Sequence, residues 1–232
     1  MGKFYDNQYF KDRDFLATHL AEAVVILLKS HKLRKILDVG CGTGRLVKYL
    51  NDVGFVAKGV DLSPIAVKKA KALVKKKNTI FKTSATKLPF KNKSFDLVIA
   101  ISVIEHISNL AVEKFLKETH RILKPKGFIF LITPNLSTPI RLVQGKNWFA
   151  YKDPTHINFY TPLGIARQLK ENNFQRIKFW AKTKYNQSFD YEFPTVYAKL
   201  PRFLKMFFIY LFFSTPIALI RNAVWIIAQK ND

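Results

Sequence analysis

The chain's 232 residues predict an α/β fold, a doubly wound sheet with helices on both faces. Three observations carry that expectation. Apolar, β-branched runs alternate with amphipathic helix-length segments between residues 34 and 135, the pattern of a parallel sheet. The first run, residues 36–39, meets glycines at 40, 42 and 44 before a helix begins. The second, residues 57–61, ends in Asp61, where an acid at the carboxyl edge of the sheet can accept both hydroxyl protons of a ribose.

Taken in order, residues 12–30 predict a first helix with Leu16, Leu20, Ala23, Val24, Leu27 and Leu28 as its buried stripe. Tyr5, Tyr9 and Phe10 stand ahead of it, either as packing aromatics or as part of a lid. The helix after Gly44 turns Leu46, Val47 and Leu50 inward, and the helix after Asp61 uses Ala66, Ala70, Leu73 and Val74. Residues 94–100 form a fourth strand, 109–123 a helix, and 128–133 a fifth strand. Pro162 opens another helix, which stops near Glu171-Asn172-Asn173. Residues 175–182 and 222–230 read as strands six and seven. No repeat, low-complexity tract or linker divides the chain, so residues 1–232 read as one domain.

Two segments exceed a minimal fold of this kind. Residues 137–160 hold Trp148, Phe149, Tyr151, His156, Phe159 and Tyr160, and long ordered loops at strand ends usually carry specificity. Residues 200–221 form an apolar insertion before the last strand, with five phenylalanines between 203 and 213. Lys205 and Pro216 interrupt it, and a single crossing would sever strand seven from its sheet. The expectation is contact with a membrane surface, with burial against the sheet or a dimer partner as the other reading.

A net charge of +23 is concentrated in part at residues 68–77, six of which are lysine. A solvated outer face, anionic lipid headgroups and nucleic acid are all compatible with it. One cysteine excludes an internal disulfide, and the absence of a signal peptide places the chain in the cytoplasm, as an expectation, peripheral to the inner face of the membrane if the insertion docks there. Cys41 reads as a small side chain filling a tight turn rather than as a nucleophile.

The glycine bend decides the cofactor. Dinucleotide sites use G-x-G-x-x-G beside a pyrophosphate, but here the third glycine comes one residue early and Arg45 takes its place. Asp38, just ahead of the bend, would repel a pyrophosphate and suit a ligand's ammonium group. With Asp38, Gly40, Gly42, Gly44 and Asp61, the chain resembles the class I S-adenosylmethionine-dependent methyltransferases, most closely the quinone-biosynthesis O-methyltransferase branch. Three later blocks, Ser84 to Phe90, Ser94 to His106 and Leu123-Lys124-Pro125-Lys126-Gly127, follow in the family's order. The resemblance implies a seven-stranded Rossmann-like sheet with an antiparallel last strand, an N-terminal helical lid, and S-adenosylmethionine as cofactor. It implies that Asp38 and the loop Gly40, Cys41, Gly42, Thr43 and Gly44 hold the methionine end. Asp61 would hold the ribose, Leu62 with Ser84 and Ala85 the adenine, and Ala100 and Ser102 the amino-acid portion.

Methyl transfer chiefly requires an acceptor held in line, with a base where the acceptor must lose a proton. His106, Glu105 and His156 are the candidates. Glu105-His106 resembles the Glu-His of the quinone branch, where it belongs to a Glu-x-x-Glu-His metal-binding element; Ser102 replaces the first glutamate, so no metal is expected. His106 reads as acceptor-site lining, base or structural histidine, and His156 as functional or loop-fixing. The implied reaction is O-methylation of a small or lipid-linked acceptor, such as a quinol precursor or a glycan-lipid. The [Asp/Asn]-Pro-Pro-[Tyr/Phe] element of amino-methylating nucleic-acid enzymes is replaced by Ile101-Ser102-Val103-Ile104, which argues against nucleic acid. An RNA methyltransferase drawn by charge, or a membrane-docking protein without turnover, are the alternatives.

Overall fold

The computed structural model describes residues 14–179 and 221–231 throughout, together with positions 6, 9, 10, 200, 201, 203, 204, 207 and 219. Tyr5, the end expected for strand six at 180–182, and about two thirds of the apolar insertion lie outside the described residues. The elements run α1 (Thr18–Ser30), β1 (Lys35–Val39), α2 (Arg45–Asp52), β2 (Val56–Asp61), α3 (Pro64–Val74), β3 (Ile80–Lys82) and β4 (Phe95–Ile101). A 3-10 turn (Ile104–His106), α4 (Asn109–Ile122) and β5 (Leu123–Pro134) follow, then α5 (Pro139–Gln144), α6 (Phe149–Lys152), α7 (Pro162–Glu171), β6 (Phe174–Phe179) and β7 (Ala223–Lys230).

The seven strands lie in the order β3-β2-β1-β4-β5-β7-β6, and β7 runs antiparallel to both of its neighbours. The chain leaves the centre of the sheet in one direction after β1 and in the other after β4. The crevice between the carboxyl ends of these two strands is therefore the topological switch point, where such sheets bind ligands. Burial explains why the central strands show no alternation. Ile36, Leu37 and Val39 in β1, and Leu97, Val98 and Ile99 in β4, are at most 1% exposed because helices cover both faces. One layer packs α1, α2 and α3 against Ile36, Ile99, Phe130 and Trp225, and the other packs α4 and α7 against Leu37, Val98, Leu131 and Ile226.

Helix starts follow local chemistry. Ser63, Ser108 and Thr161 accept from the backbone N–H groups of Ala66, Ala111 and Gly164, and Pro64 and Pro162 occupy first-turn positions. Three expectations are corrected. Helix α1 begins at Thr18 rather than residue 12, because residues 14–17 are not helical and Asp14 is tied to the glycine loop. Strand β5 is longer than 128–133, because an irregularity between Phe95 and Leu97 lets β4 pair with Leu123 as well as Phe128. The connection 137–160 is not all loop: residues 139–152 form short helical turns around Trp148, which is wholly buried and donates from Nε1 to Asn222 Oδ1 at 3.1 Å.

Gly44, at the start of α2, has φ +82°, and a Cβ there would lie 2.9 Å from Ala70 Cβ on α3. Gly44→Ala is expected to lower stability by about 1–3 kcal/mol through backbone strain and helix displacement. Chemical denaturation checks this, and an unchanged midpoint contradicts the packing account.

Candidate active site

The site begins at the tips of β1 and β2. The backbone turns back on itself there, with Gly40 and Cys41 N–H groups both donating to the Val60 carbonyl at 2.8 and 3.0 Å. Gly40, Gly42 and Gly44 all have positive φ, which L side chains rarely adopt. A Cβ at Gly42 would meet nothing within 4 Å, so this side of the bend is open to a ligand's close approach. Beneath it, Cys41 Sγ sits 2.7 Å from where a Gly59 Cβ would be. Burial, then the Asp38 and Asp61 carboxyls, raise the Cys41 thiol well above its usual range, so it fills the turn and stays protonated.

The two acids differ. Asp61 is half-buried and its carboxylate is clamped by backbone amides, Gly42 N–H to Oδ2 at 2.9 Å and Ser63 N–H to Oδ1 at 2.8 Å. Burial raises its pKa and those amides oppose the rise. Asp38 is only 4% exposed; burial, with the Asp61 charge adding, pushes it up to about 8. A cationic group brought against Asp38 would favour its ionised form. These two acids and the glycine cradle fit a ligand with an ammonium group and a ribose, and do not fit a pyrophosphate.

Gly40, Leu62 and Ser102 are exposed, and Gly42, Thr43, Ser84 and Ala85 are half-buried around the same strand ends; Cys41, Gly44 and Ala100 lie beneath. Thr83 N–H donates to the Asp61 carbonyl at 3.0 Å, which holds the Ser84–Ala85 turn beside β2. The Ser84 hydroxyl is shared with Thr86, at 2.9 Å to Oγ1 and 3.2 Å to the amide. Ser102 is a non-glycine residue at φ +51°, just past β4. Strain of this kind often marks a functional turn.

Glu105, His106 and His156 come together although fifty residues separate the last two. The Glu105 carbonyl accepts from the Ile157 and Asn158 N–H groups at 2.8 and 3.1 Å, pinning the 153–158 segment onto the 3-10 turn. The two imidazoles meet edge to face with centroids 4.7 Å apart. The Glu105 side chain is 1% exposed and accepts from Thr133 Oγ1 at 2.9 Å; burial pushes it up to about 7. One ligand atom from each of these three residues lies within 4.8 Å of the other two, so the set could hold a metal ion. Edge-to-face contacts continue from His156 through Phe159 and Tyr151 to Trp148, an aromatic wall beside the histidines.

Sequence reasoning missed three contributors. Asp14 accepts from Thr43 Oγ1 at 2.7 Å and from Arg45 Nε and Nη2 at 2.6 and 3.0 Å, clasping the segment ahead of α1 to the glycine loop. The Arg45 guanidinium, helped by Thr43, holds Asp14 down to about 2. The sequence assigns Thr133 and Thr155 no role of their own. Asp14 and Thr133 have no sequence signal, because their partners are distant in the chain; the Asp153-Pro154-Thr155-His156 run resembles the family's active-site loop, but the contact of Thr155 with His106 joins residues 49 apart.

The fold and the cradle match the class I architecture of S-adenosylmethionine-dependent methyltransferases. The methyltransferase-domain family profile matches residues 4–178, and the chain belongs to that family. S-adenosylmethionine is the cofactor that the family and fold imply. An uncharacterized protein of Methanocaldococcus jannaschii, MJ1252, is 35% identical over 177 residues, 76% of this chain and 55% of its own. The chloroplastic tocopherol O-methyltransferase of Arabidopsis thaliana is 36% identical over 108 residues, 44% of this chain and 30% of its own. The tRNA N(3)-methylcytidine methyltransferase Mettl2 of Drosophila melanogaster is 25% identical over 221 residues, 79% of this chain and 68% of its own. The chain spans between 30% and 55% of the length of several curated relatives it matches. A S-adenosylmethionine-dependent methyltransferase from Archaeoglobus fulgidus shares the fold with a TM-score of 0.61 at 21% identity, covering 97% of this chain and 100% of that one.

Asp61→Ala is expected to weaken S-adenosylmethionine binding at least about tenfold while leaving the protein folded, as read by calorimetric titration and circular dichroism. Asp38 sets a pH dependence with a definite sign. With its pKa at about 8, it is mostly protonated at pH 7 and must lose the proton to meet a cation. Affinity should rise roughly tenfold per pH unit below about 8 and then level off. Titrations in two buffers of different ionisation enthalpy should show proton release at neutral pH; affinity independent of pH across that range refutes the pairing.

Proposed function

We propose that the chain methylates a hydroxyl oxygen on a small or lipid-linked apolar acceptor, of the quinol-precursor or glycan-lipid kind. The observation that carries this reading is the pair of exposed rings Tyr151 and Phe159, backed by the buried Trp148 and leading to the His156–His106 pair. Aromatic and apolar walls suit a ring or prenyl chain, and a hydroxyl must shed a proton where a tertiary amine need not. S-adenosylmethionine supplies the electrophilic methyl group when bound.

The chain's own residues would do the rest. Asp38 and Asp61 orient the cofactor's charged and ribose ends, the 3-10 turn sets the acceptor, and His106 takes the proton. The similarity to a tocopherol O-methyltransferase supports the acceptor class. Membrane contact is part of the proposal. Leu142, Val143 and Ile157 are 73%, 89% and 55% exposed, and Arg141, Lys146 and Lys152 accompany them in the sequence. Such a mixture suits an anionic membrane surface from which a lipid-linked acceptor could be taken. No helix among the described residues is long and apolar enough to cross a membrane.

A second reading rests on the similarity to a tRNA methyltransferase together with the lysines of α3. The two separate in one experiment. The chain is incubated with S-adenosylmethionine and with lipid, quinone and RNA fractions, and products are read by mass spectrometry. A one-methylene mass gain in an apolar product supports the proposal; methylated RNA with steeply salt-dependent binding transfers the assignment to RNA. His106→Ala is expected to reduce turnover about a hundredfold or more without altering cofactor affinity.

A further inference from the structure

We propose that Thr155 and Asp153 are positioning residues that hold His106 as its Nδ1–H tautomer and so present Nε2 as the base, an inference that rests on the function proposed above. The tautomer follows from what each neighbour can do. The Thr155 carbonyl, 3.3 Å from His106 Nδ1, can only accept a hydrogen bond. The Thr155 hydroxyl lies 2.9 Å from the same nitrogen, and its own hydrogen is directed to Asp153 Oδ1 at 2.5 Å. A hydroxyl whose proton is already donated can only accept from Nδ1. Both contacts therefore require the proton on Nδ1, and the lone pair is left on Nε2.

Asp153 completes the arrangement. Its Oδ1 also accepts the Thr155 N–H at 3.0 Å. Burial opposes its ionisation, but the Thr155 bonds and the two histidines hold its carboxyl below the usual range. An anion one hydroxyl away stabilises the imidazolium once His106 has taken a proton. In that step the acceptor's O–H bond breaks and a new N–H bond forms at Nε2. The electron pair stays on the acceptor oxygen, and His106 later returns its proton to solvent.

His156 provides an internal control. Its Nδ1 lies 2.7 Å from the Ala150 carbonyl, which again fixes the proton on Nδ1 without the Thr155 hydroxyl. Its Nε2 is 3.8 Å from Asp153 Oδ2. Removing the Thr155 hydroxyl should thus change the tautomer of His106 and leave that of His156, which the Ala150 carbonyl sets. Among the described residues, Glu105, Asp153 and His156 are the titratable groups that face His106.

The test uses the full chain labelled with nitrogen-15 at histidine, with EDTA present, and long-range proton–nitrogen correlation spectra recorded through the neutral pH range. Wild type is expected to show Nδ1–H tautomers at both His106 and His156. Thr155→Val should shift His106 toward the Nε2–H form and leave the His156 tautomer unchanged. Thr155→Ser should restore the wild-type pattern, and Asp153→Ala, which frees the Thr155 hydroxyl to donate to Nδ1, should also shift His106 toward the Nε2–H form. An Nε2–H His106 in wild type overturns the proposal, as does a Thr155→Val spectrum matching wild type. Should Thr155→Val fail to fold, the tautomers of wild type and of Asp153→Ala decide. These spectra need no acceptor, so a failure to find a methylated product counts against the proposed function alone.

Discussion

Close approach of backbone to backbone at the tips of β1 and β2 governs the rest of the site. A Cβ at Gly40 would stand 2.5 Å from Val103 Cγ2, so a side chain there would push away the turn that carries Glu105 and His106. A Cβ at Gly44 would force α2 off α3. The bend that exposes backbone is thus the same bend that seats the turn carrying Glu105 and His106. The glycine cradle and the proposed base cannot shift independently, which suits a reaction whose main demand is alignment.

Electrostatics divides the labour between the two acids. Backbone amides hold Asp61 in one orientation. Asp38 is buried near a second carboxyl, an unfavourable situation in the absence of a cation. A buried acid of this kind favours a positively charged ligand over neutral or anionic ones of similar shape. The clasp of Asp14 on Thr43 and Arg45 adds a mechanical link, because the segment preceding α1 is fastened to the loop beneath the ligand.

On the acceptor side, one glutamate organises two distant stretches of chain. The Glu105 carbonyl holds the 153–158 segment and its carboxyl bonds to Thr133 at the end of β5. Trp148 closes the other end of the connection by bonding to Asn222 beside β7. A segment that looks like a long loop in the sequence is therefore ordered by contacts to three strands' ends. Its Trp148 and Tyr160 are buried, while Tyr151 and Phe159 stay partly exposed in a chain of ring contacts that reaches His156.

Periodicity and glycine placement made the sheet and its helices legible, since apolar runs such as 36–39 and local caps such as Ser63-Pro64 act within a few residues. The acids at 38 and 61 were equally readable, because strand ends and their chemistry lie side by side in the chain. The start of α1, the reach of β5 and the compaction of residues 137–160 were not, because each depends on a partner far away: Asp14 on Arg45, Leu123 on Phe95, Trp148 on Asn222. The pairing of His106 with His156, and the threonine that orients one of them, belong to the same class. Local backbone preference and hydrophobic pattern are carried by neighbouring residues and so are written in the sequence itself; which polar side chains meet across the sheet's edge is decided only when the chain has closed.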